Sequence, residues 1–404
     1  PPPPPRGAAV AAHRAAPPPA GAPRHGQALR HCRSPRAAPV TPVAFVAMLS
    51  VPYGIDDDFR LQVRANAGIF AIGALGLNVL TGYTGQVSLG HGAFVVIGSY
   101  TAAYLGADQG WPLPLWLLAS VLVAAFVGTV IGPFALRFRG NYLAVVTLAL
   151  IFIVFHVQKN WESVTGGDDG KSVSDASLWF GIDFAEPVIF GVELSRTEGI
   201  FLLTWLLVGL ATLLTKNLVR SRPGRAFQAI RDRDVAAAVV GVDVARYKVA
   251  SFAISSGLAG LAGGLTAVQL RFLSPGKDAS EMLLVSIRYI AIIVVGGVGT
   301  VAGSIIGAVL IGPLPELIEE FSELINFTVP IVDQPLLKET ATSEGLLTQA
   351  VMSEILFGVL LVVFLMFQPH GVMGWWFKLR AVLRRRAAGR AETAAASSSG
   401  DAAV

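Results

Sequence analysis

The side chains that could do chemistry are few in this sequence, and their spacing points to no reaction. His91 stands in an apolar segment without a second ligand at metal spacing, and Cys32 is the single cysteine, so neither a cysteine metal cluster nor a disulfide framework is indicated. The sequence has no Gly-x4-Gly-Lys-Ser/Thr loop, which ATP-hydrolysing chains of this type need. We therefore expect no catalytic, cofactor-binding or metal site in this chain.

A run of small and polar residues around His91 is the most unusual apolar segment. Ser88, Ser99 and Thr84 accompany glycines 82, 85, 90, 92 and 98. Small residues allow close helix packing, and unwound backbone within a membrane is tolerated only where it is buried in protein or lines a cavity. Two interpretations stay open, tight packing and the lining of a path. For His91 they are a hydrogen-bonded structural role and direct contact with a substrate.

The composition indicates a membrane protein. The 404 residues are 53% hydrophobic and only 14% charged, whereas soluble domains carry about 25% charged residues. The 43 glycines also suit membrane helices. A net charge of +4 is too small and too scattered to indicate nucleic-acid binding. A soluble enzyme of this length is excluded.

Apolar runs alternate with short polar breaks between two tails of simple composition. About 20 mostly apolar residues are needed to cross a membrane, and the sequence predicts an all-α, polytopic transmembrane helical bundle with eight to ten spans. The candidates are 40–54, 66–82, 86–105, 113–136, 141–158, 199–219, 247–269, 281–297, 300–318 and 347–367. The run 86–105 is also compatible with a re-entrant segment, and 281–297 with 300–318 could be two helices or one element interrupted by glycines.

The chain divides into three regions by composition. Residues 1–39 are rich in Pro, Ala and Arg, and are expected to be either a disordered extension or sequence upstream of the true start. Residues 40–376 form the transmembrane domain. Residues 377–404 are first basic and then of low complexity. By the positive-inside rule the basic loop 216–248 is cytoplasmic, and an even number of spans then places both termini in the cytoplasm.

The loop 216–248 is the most informative segment for function. From Gly224 to Val240 it contains good helix formers, with Pro223 at the expected helix start and Gly241 as the expected stop. Apolar and charged residues alternate along it. Such a helix can dock into a groove of another protein or lie on anionic lipid, and periodicity does not decide between these alternatives.

Several motifs, in order, resemble the LivM-type permease subunits of the branched-chain amino acid ABC transporter family (the LivH/LivM family). The resemblance spans about residues 60–375. In the loop, the motif Ala236-Ala237-x3-Gly241 is similar to the coupling motif of ABC importers, although Val235 stands where an acidic residue is usual. The other segments are Leu75–Phe94, Leu136–Thr147, Asn160–Gly167, Val295–Thr300 and Phe367–Gly371.

The resemblance implies a permease subunit in the plasma membrane that imports leucine, isoleucine and valine. Urea, short amides and other amino acids are the alternative cargo. It also implies a homologous LivH-type permease, two cytoplasmic ABC ATPases that bind ATP and Mg²⁺, and an extracytoplasmic substrate-binding protein as partners, besides membrane lipid. The residues implied for coupling to the ATPase are Gly224, Arg225, Phe227, Ile230, Arg231, Ala236, Ala237 and Gly241.

Other candidate residues follow from position. Ser88, His91 and Arg288 are candidates for the translocation path, and for Arg288 the alternatives are snorkelling to the outer interface or pairing with Glu281. On the outer face, the candidates for contact with the binding protein, or for structural closure of the loop, are Trp161, Thr165, Gly166 and Gly167.

A stand-alone ion-coupled secondary transporter is the alternative from another class. It predicts inverted internal repeats and carboxylates within the spans. Neither is clear in the sequence. A non-transporting anchor or receptor is disfavoured, because the longest stretch between spans, 159–198, is too short for a domain.

Overall fold

The computed structural model describes residues 58–137, 142–173, 195–276, 279–320, 347–367 and 371–374. It also describes the two-residue strands at 188–189, 192–193, 328–329, 334–335 and 337–338. All of these residues belong to one compact unit, 52–404. The predictions for 1–39, 40–54 and 377–404 concern segments outside the described residues.

The described chain is a helical bundle, as predicted. In chain order its first helices are α1 (Asp58–Leu77), α2 (His91–Ala103), α3 (Leu113–Arg137), α4 (Tyr142–Asn160), α5 (Glu162–Thr165) and α6 (Arg196–Arg220). They are followed by α7 (Arg222–Asp232), α8 (Asp234–Val239), α9 (Val244–Leu270), α10 (Ser280–Gly296), α11 (Val301–Ile311), α12 (Leu314–Glu320) and α13 (Gln349–Phe367). π-Helical turns extend α1 over Asn78–Tyr83 and α2 over Tyr104–Asp108.

Each strand in the described part of the chain is two residues long and is paired with one other strand. They are β1 (Lys171–Ser172), β2 (Val188–Ile189), β3 (Val192–Glu193), β4 (Phe272–Leu273), β5 (Thr328–Val329), β6 (Gln334–Pro335), β7 (Leu337–Lys338) and β8 (Leu347–Thr348). The pairs are β1 with β4, β2 with β3, and β5 with β6, all antiparallel, and β7 with β8, which is parallel. The all-α class is therefore confirmed.

Five helices in the described part of the chain are long and apolar enough to cross a membrane. They are Asp58–Tyr83, Leu113–Phe134, Tyr142–Asn160, Arg196–Arg220 and Val244–Leu270. A sixth results if Ser280–Gly296 and Val301–Leu317, which meet at a 120° bend, count as one span. This is fewer than the eight to ten predicted spans. One reason is that helix α2 begins only at His91 and has 13 residues, fewer than a membrane crossing needs.

Helix α1 lies at the centre of the bundle. Its most apolar stretch is 89% buried, against 33% for α3 and 28% for α4. The two outer helices instead expose large apolar side chains such as Leu122, Phe126 and Phe152. Exposed apolar surface of this size fits lipid or another membrane subunit.

Small residues bring α9 into close contact with α2 and α3. A Cβ on Gly260 would overlap the carbonyl of Ser120, and a Cβ on Gly263 would overlap that of Val95. Gly98 in turn lies directly against Gly260. Backbones approach this closely only where side chains are absent, so the packing interpretation is confirmed for Gly98.

The two ends of the bundle are distinct. At one end, Arg231 in α7 donates a hydrogen bond to the carbonyl oxygen of Gly82, at the end of the first span. At the other end, β1 pairs with β4, and Lys171 Nζ lies 2.6 Å from Asp108 Oδ2. The loop 216–248 and the segment 159–173 therefore lie at opposite ends of the bundle. This agrees with the prediction that the loop is cytoplasmic and that Trp161 lies on the outer face, while the side of the membrane on which each end lies stays a prediction.

Candidate functional site

Helix α7 begins and packs as the loop sequence predicts. It starts after Ser221, which has an extended backbone, and Pro223 lies in its first turn. Proline suits this position because the first helical N–H groups have no partner within the helix. Gly224 has no room for a Cβ, which would overlap the carbonyls of Leu218 and Val219. The glycine thus allows α7 to fold back closely on the end of α6.

The apolar face of α7 is buried against the spans of the same chain. Phe227 is 1% exposed and Ile230 is 4% exposed. The Phe227 ring packs with Val79 and Tyr83 and meets the Tyr247 ring edge-on, with 6.0 Å between centroids. These two side chains hold the loop on the bundle, and their contact with an ATPase stays a prediction.

The continuous helix predicted from Gly224 to Val240 is wrong, because the backbone is extended at Arg233 (φ −159°, ψ 108°). Asp234 then begins α8, where its Oδ1 accepts a hydrogen bond from the Val235 N–H. A carboxylate is favourable at a helix N-terminus and competes for nearby backbone donors. Lys248 Nζ also lies 3.5 Å from Asp234 Oδ2, so the break is fixed from outside the helix.

Helix α8 presents an apolar surface to solvent. Three valines are highly exposed, Val235 at 71%, Val239 at 83% and Val240 at 77%. Ala237 is buried at 3% and faces the bundle, while Ala236 is exposed. We call Val235, Val239 and Val240 the valine surface. Three exposed valines on six helical residues and the next turn mark a candidate contact site.

Gly241 follows the last turn of α8 and ends the valine surface. Its φ is +87°, a backbone conformation that residues with a Cβ rarely adopt. The N–H groups of Gly241 and Val242 bond back to the carbonyls of Ala238 and Ala237. The predicted helix stop is confirmed. Gly241, Ala236 and Ala237 were predicted as coupling residues, whereas no coupling role was predicted for Val235, Val239 and Val240, whose apolar character at a loop position was the available signal.

Arg231 is exposed over much of its surface, yet its guanidinium contacts the end of the first span. Besides donating to the Gly82 carbonyl, its Nη1 would lie 2.6 Å from a Cβ placed on Gly299. A Cβ on Gly85 would lie 3.3 Å from Arg231 Cγ. Three glycines from two broken elements thus surround this side chain. Arg225, on the same helix, remains at the surface.

The segment 84–90 between the first span and α2 is not helical. Its polar groups are bonded to neighbouring helices: Gln86 Nε2 donates to Ser251 Oγ (2.8 Å), and the Leu89 N–H donates to Thr147 Oγ1 (3.0 Å). Ser88 is buried at 1%. Its role in a path stays a prediction.

The segments 281–297 and 300–318 form two helices that meet at a 120° bend, and we call the pair an interrupted element. Gly297 and Gly299, at the bend, have φ of +124° and +78°. Buried Asn78 bonds two residues of the bend, since its Nδ2 donates to the Thr300 carbonyl (3.0 Å) and its Oδ1 accepts from the Gly299 N–H (2.8 Å). The sequence analysis gave no role to Asn78, although an amide in an apolar span was a signal.

His91 has the surroundings of a structural residue. It is 1% exposed, its Nε2 lies 2.9 Å from the Gly73 carbonyl oxygen, and its ring meets the Tyr289 ring edge-on at 4.9 Å. Arg288, next to Tyr289, places its guanidinium carbon 5.4 Å from the centre of the Phe70 ring. Substrate contact for both, and the Arg288–Glu281 pair, stay predictions.

The loop after α4 contains one exposed candidate for partner contact and a turn closed by hydrogen bonds. Trp161 is 55% exposed. Thr165 Oγ1 donates to the Gln158 carbonyl and accepts from the Gly167 N–H. Gly166 and Gly167 both have positive φ. The geometry of these three residues is that of structural closure, and it leaves Trp161 accessible to a partner.

Across the described residues there is no group of three or more His, Cys, Asp or Glu side chains that could hold a metal ion. The arrangement connects an exposed surface to the membrane helices. An exposed apolar surface sits on a short helical segment, and that segment is attached to the backbone of two interrupted membrane elements.

Comparison with known proteins identifies the family. The model of the family described as "branched-chain amino acid transport system / permease component" matches residues 60–365. LivM of Salmonella typhimurium is 35% identical over 268 residues, which cover 63% of this chain and 62% of the relative. LivM of Escherichia coli is 34% identical over the same shares, and LivH of Methanocaldococcus jannaschii 26% identical over 77% of this chain and 90% of its own length.

The match therefore covers less than two thirds of the LivM relatives. No solved structure matches significantly. The family match, however, spans most of the chain and contains every element of the site described above. The chain belongs to the family of branched-chain amino acid transport system permease components, and it is a multi-pass membrane protein.

Proposed function

We propose that the chain is a membrane-spanning permease subunit of an ABC importer that translocates branched-chain amino acids across the plasma membrane, with ATP hydrolysed by separate subunits. The relatives named as branched-chain amino acid permeases support the cargo. The chain itself is then a transporter subunit without enzymatic activity. Urea, short amides and other amino acids are the alternative cargo for the same assembly.

The valine surface is the observation that carries the proposal. It belongs to a loop at one end of the bundle, and α7 anchors that loop through Phe227 and Ile230. A partner that binds the valines can therefore move the loop only together with the spans that it contacts. This is what coupling between a cytoplasmic ATPase and a translocation path requires.

The other partners follow from the remaining surfaces. A LivH-type permease fits the apolar sides of the bundle, which otherwise face lipid, and relatives of the LivH type are themselves similar to this chain. An extracytoplasmic binding protein would meet the opposite end, where Trp161 is exposed. Two ATPases, which hold ATP and Mg²⁺, would bind the two permeases, one to each loop.

Partner recovery tests the proposal. The tagged chain is extracted from its own membrane in mild detergent, and co-purifying proteins are identified by mass. We expect two ATPase subunits and a second permease. Recovery of this chain alone or as a homo-oligomer, under each gentle condition tried, would contradict the proposal and favour a stand-alone transporter.

Val239→Asp tests the docking surface itself. Burial of a valine contributes about 1.5–3 kcal/mol, so replacing it with a charge should reduce ATPase recovery by at least about tenfold. Leu270→Asp, which alters an exposed apolar residue at the end of α9, serves as the control. Equal recovery of the ATPase with both variants would show that the valine surface is not the contact.

A further inference from the structure

We propose that Arg231 and Asn78 form a latch that ties the coupling loop to the interrupted backbone of two membrane elements, and that Arg231 is the positioning residue that makes translocation depend on ATP hydrolysis. This inference rests on the proposed function. It assigns Arg231 an inward role, whereas the family resemblance implies contact with the ATPase.

The first half of the latch is the end of the first span. The last carbonyls of a helix have no partner within it, and here each of three is bonded from elsewhere. The Val79 carbonyl accepts from Thr84 Oγ1 (3.0 Å), the Leu80 carbonyl accepts from the Gln86 N–H (3.1 Å), and the Gly82 carbonyl accepts from Arg231. Of these three bonds, the third comes from the loop 216–248, so Arg231 adds a polar connection to the apolar contact that Phe227 makes with this helix end.

The second half is the break between α10 and α11. Asn78 bonds two consecutive residues within it, through the Gly299 N–H and the Thr300 carbonyl, and Asn78 is itself fully buried. Gly82 lies one turn further along, where a Cβ would overlap Asn78 Oδ1 and lie 2.7 Å from the Gly299 nitrogen. The two broken elements are thus in direct contact at this point.

Arg231 lies over this junction. Its guanidinium donates to the Gly82 carbonyl and lies beside Gly299, where an added Cβ would come within 2.6 Å of Nη1. An ammonium on a flexible stem would hold the same carbonyl in a less fixed geometry. A displacement of α7 must therefore break the bond to Gly82 or move the end of the first span, which itself contacts Gly299 through Asn78.

The interrupted elements are the places where such movement costs least. π-Helical turns and positive-φ glycines mark Asn78–Tyr83 and 297–299, and backbone hinges are a few residues that absorb changes in φ and ψ. Phe227 holds α7 against the same helix end through apolar contact. Phe227 thus holds α7 on the helix end by apolar packing, and the directional hydrogen bond of Arg231 fixes where α7 lies.

The experiment measures uptake and ATP hydrolysis on the same preparation. The complete assembly, purified through the tagged chain, is reconstituted into liposomes with its binding protein and radiolabelled leucine. Variants are Arg231→Ala, Arg231→Lys and the control Arg222→Ala, which removes another exposed arginine from the same helix. The readout is the number of leucine molecules imported per ATP hydrolysed.

We expect Arg231→Ala to keep its partners and to hydrolyse ATP within about twofold of the unmodified assembly, and to import at least tenfold fewer molecules per ATP. Arg231→Lys should restore part of that ratio, because one donor to Gly82 is regained. Arg222→Ala should leave the ratio unchanged, whatever its effect on hydrolysis. A parallel fall of uptake and hydrolysis in Arg231→Ala, or an unchanged ratio, would overturn the proposal.

A second measurement separates failure of the latch from failure of the proposed function. Hydrogen exchange of the amides of α7 is followed in the detergent-purified chain without partners. Arg231→Ala should exchange at least tenfold faster than Arg222→Ala over 224–232. Fast exchange without any recovered ATPase would leave the latch intact and refute the importer, whereas equal exchange in the two variants would refute the latch.

Discussion

Asn78→Ala should destabilise the bundle more than the loss of an exposed amide does. Asn78 is fully buried and makes two hydrogen bonds within the α10–α11 break, at 3.0 Å and 2.8 Å. Each buried group left without a partner costs about 1–3 kcal/mol. Because Gly299 and Thr300 are only partly buried, water can replace part of the loss, and we expect a total of about 2–3 kcal/mol.

The assay is the free energy of unfolding of the detergent-purified chain, titrated with a denaturing detergent and followed by circular dichroism. Asn160→Ala is the matched control, because the Asn160 amide is exposed and bonds only within α4, to His156. Its loss should be below about 0.5 kcal/mol. A loss for Asn78→Ala that equals the control would refute the view that Asn78 holds the break together.

A double-mutant cycle with Gly82→Ala tests the contact itself. Alone, the new Cβ of Gly82→Ala would overlap Asn78 Oδ1. In the Asn78→Ala background that overlap is gone, and only the close approach to the Gly299 nitrogen remains. The cost of Gly82→Ala should therefore be smaller in that background, by at least about 0.5 kcal/mol. Strictly additive losses would show that the two residues do not meet.

Two further substitutions probe the two ends of the bundle. Phe227→Ala should cost about 3–5 kcal/mol, because it empties a buried site between α7 and the first span, whereas Val239→Ala should cost less than about 0.5 kcal/mol; the same detergent titration measures both. Lys171→Met should cost about 1 kcal/mol, because it removes an ion pair with Asp108 that is partly exposed. Thermal unfolding at low and high salt should show that this difference shrinks as salt screens the pair.

The helical class, the position of the loop and the two interruptions were predictable from sequence. They follow from apolar length, from the basic character of 216–248 and from glycines that cluster where helices cannot continue. Pro223 and Gly241 mark the ends of the helical segment in the loop as expected. These signals are local, since each depends on the conformation of a few consecutive residues.

The direction in which loop residues face was not predictable. An amphipathic helix has the same periodicity whether its apolar face covers its own spans or a partner, so Phe227 and Ile230 read equally well as partner contacts. The contact of Arg231 with the first span could not be predicted for a related reason, because its acceptor, the Gly82 carbonyl, lies 149 residues earlier in the chain. The helix break at Arg233 is accompanied by an ion pair between Asp234 and Lys248, which sequence order does not show.

The loop therefore has two faces with different consequences. Substitutions at Val235, Val239 or Val240 change only what meets the chain from outside, because these side chains contact solvent. Substitutions at Phe227 or Arg231 leave that surface in place and change how the loop is held on the spans. Loss of partner binding should accordingly follow the first group, and loss of transport per ATP the second. A single measurement of uptake would confuse the two groups, because uptake falls in both; partner recovery and the ratio of transport to hydrolysis are needed together to assign each residue to its face.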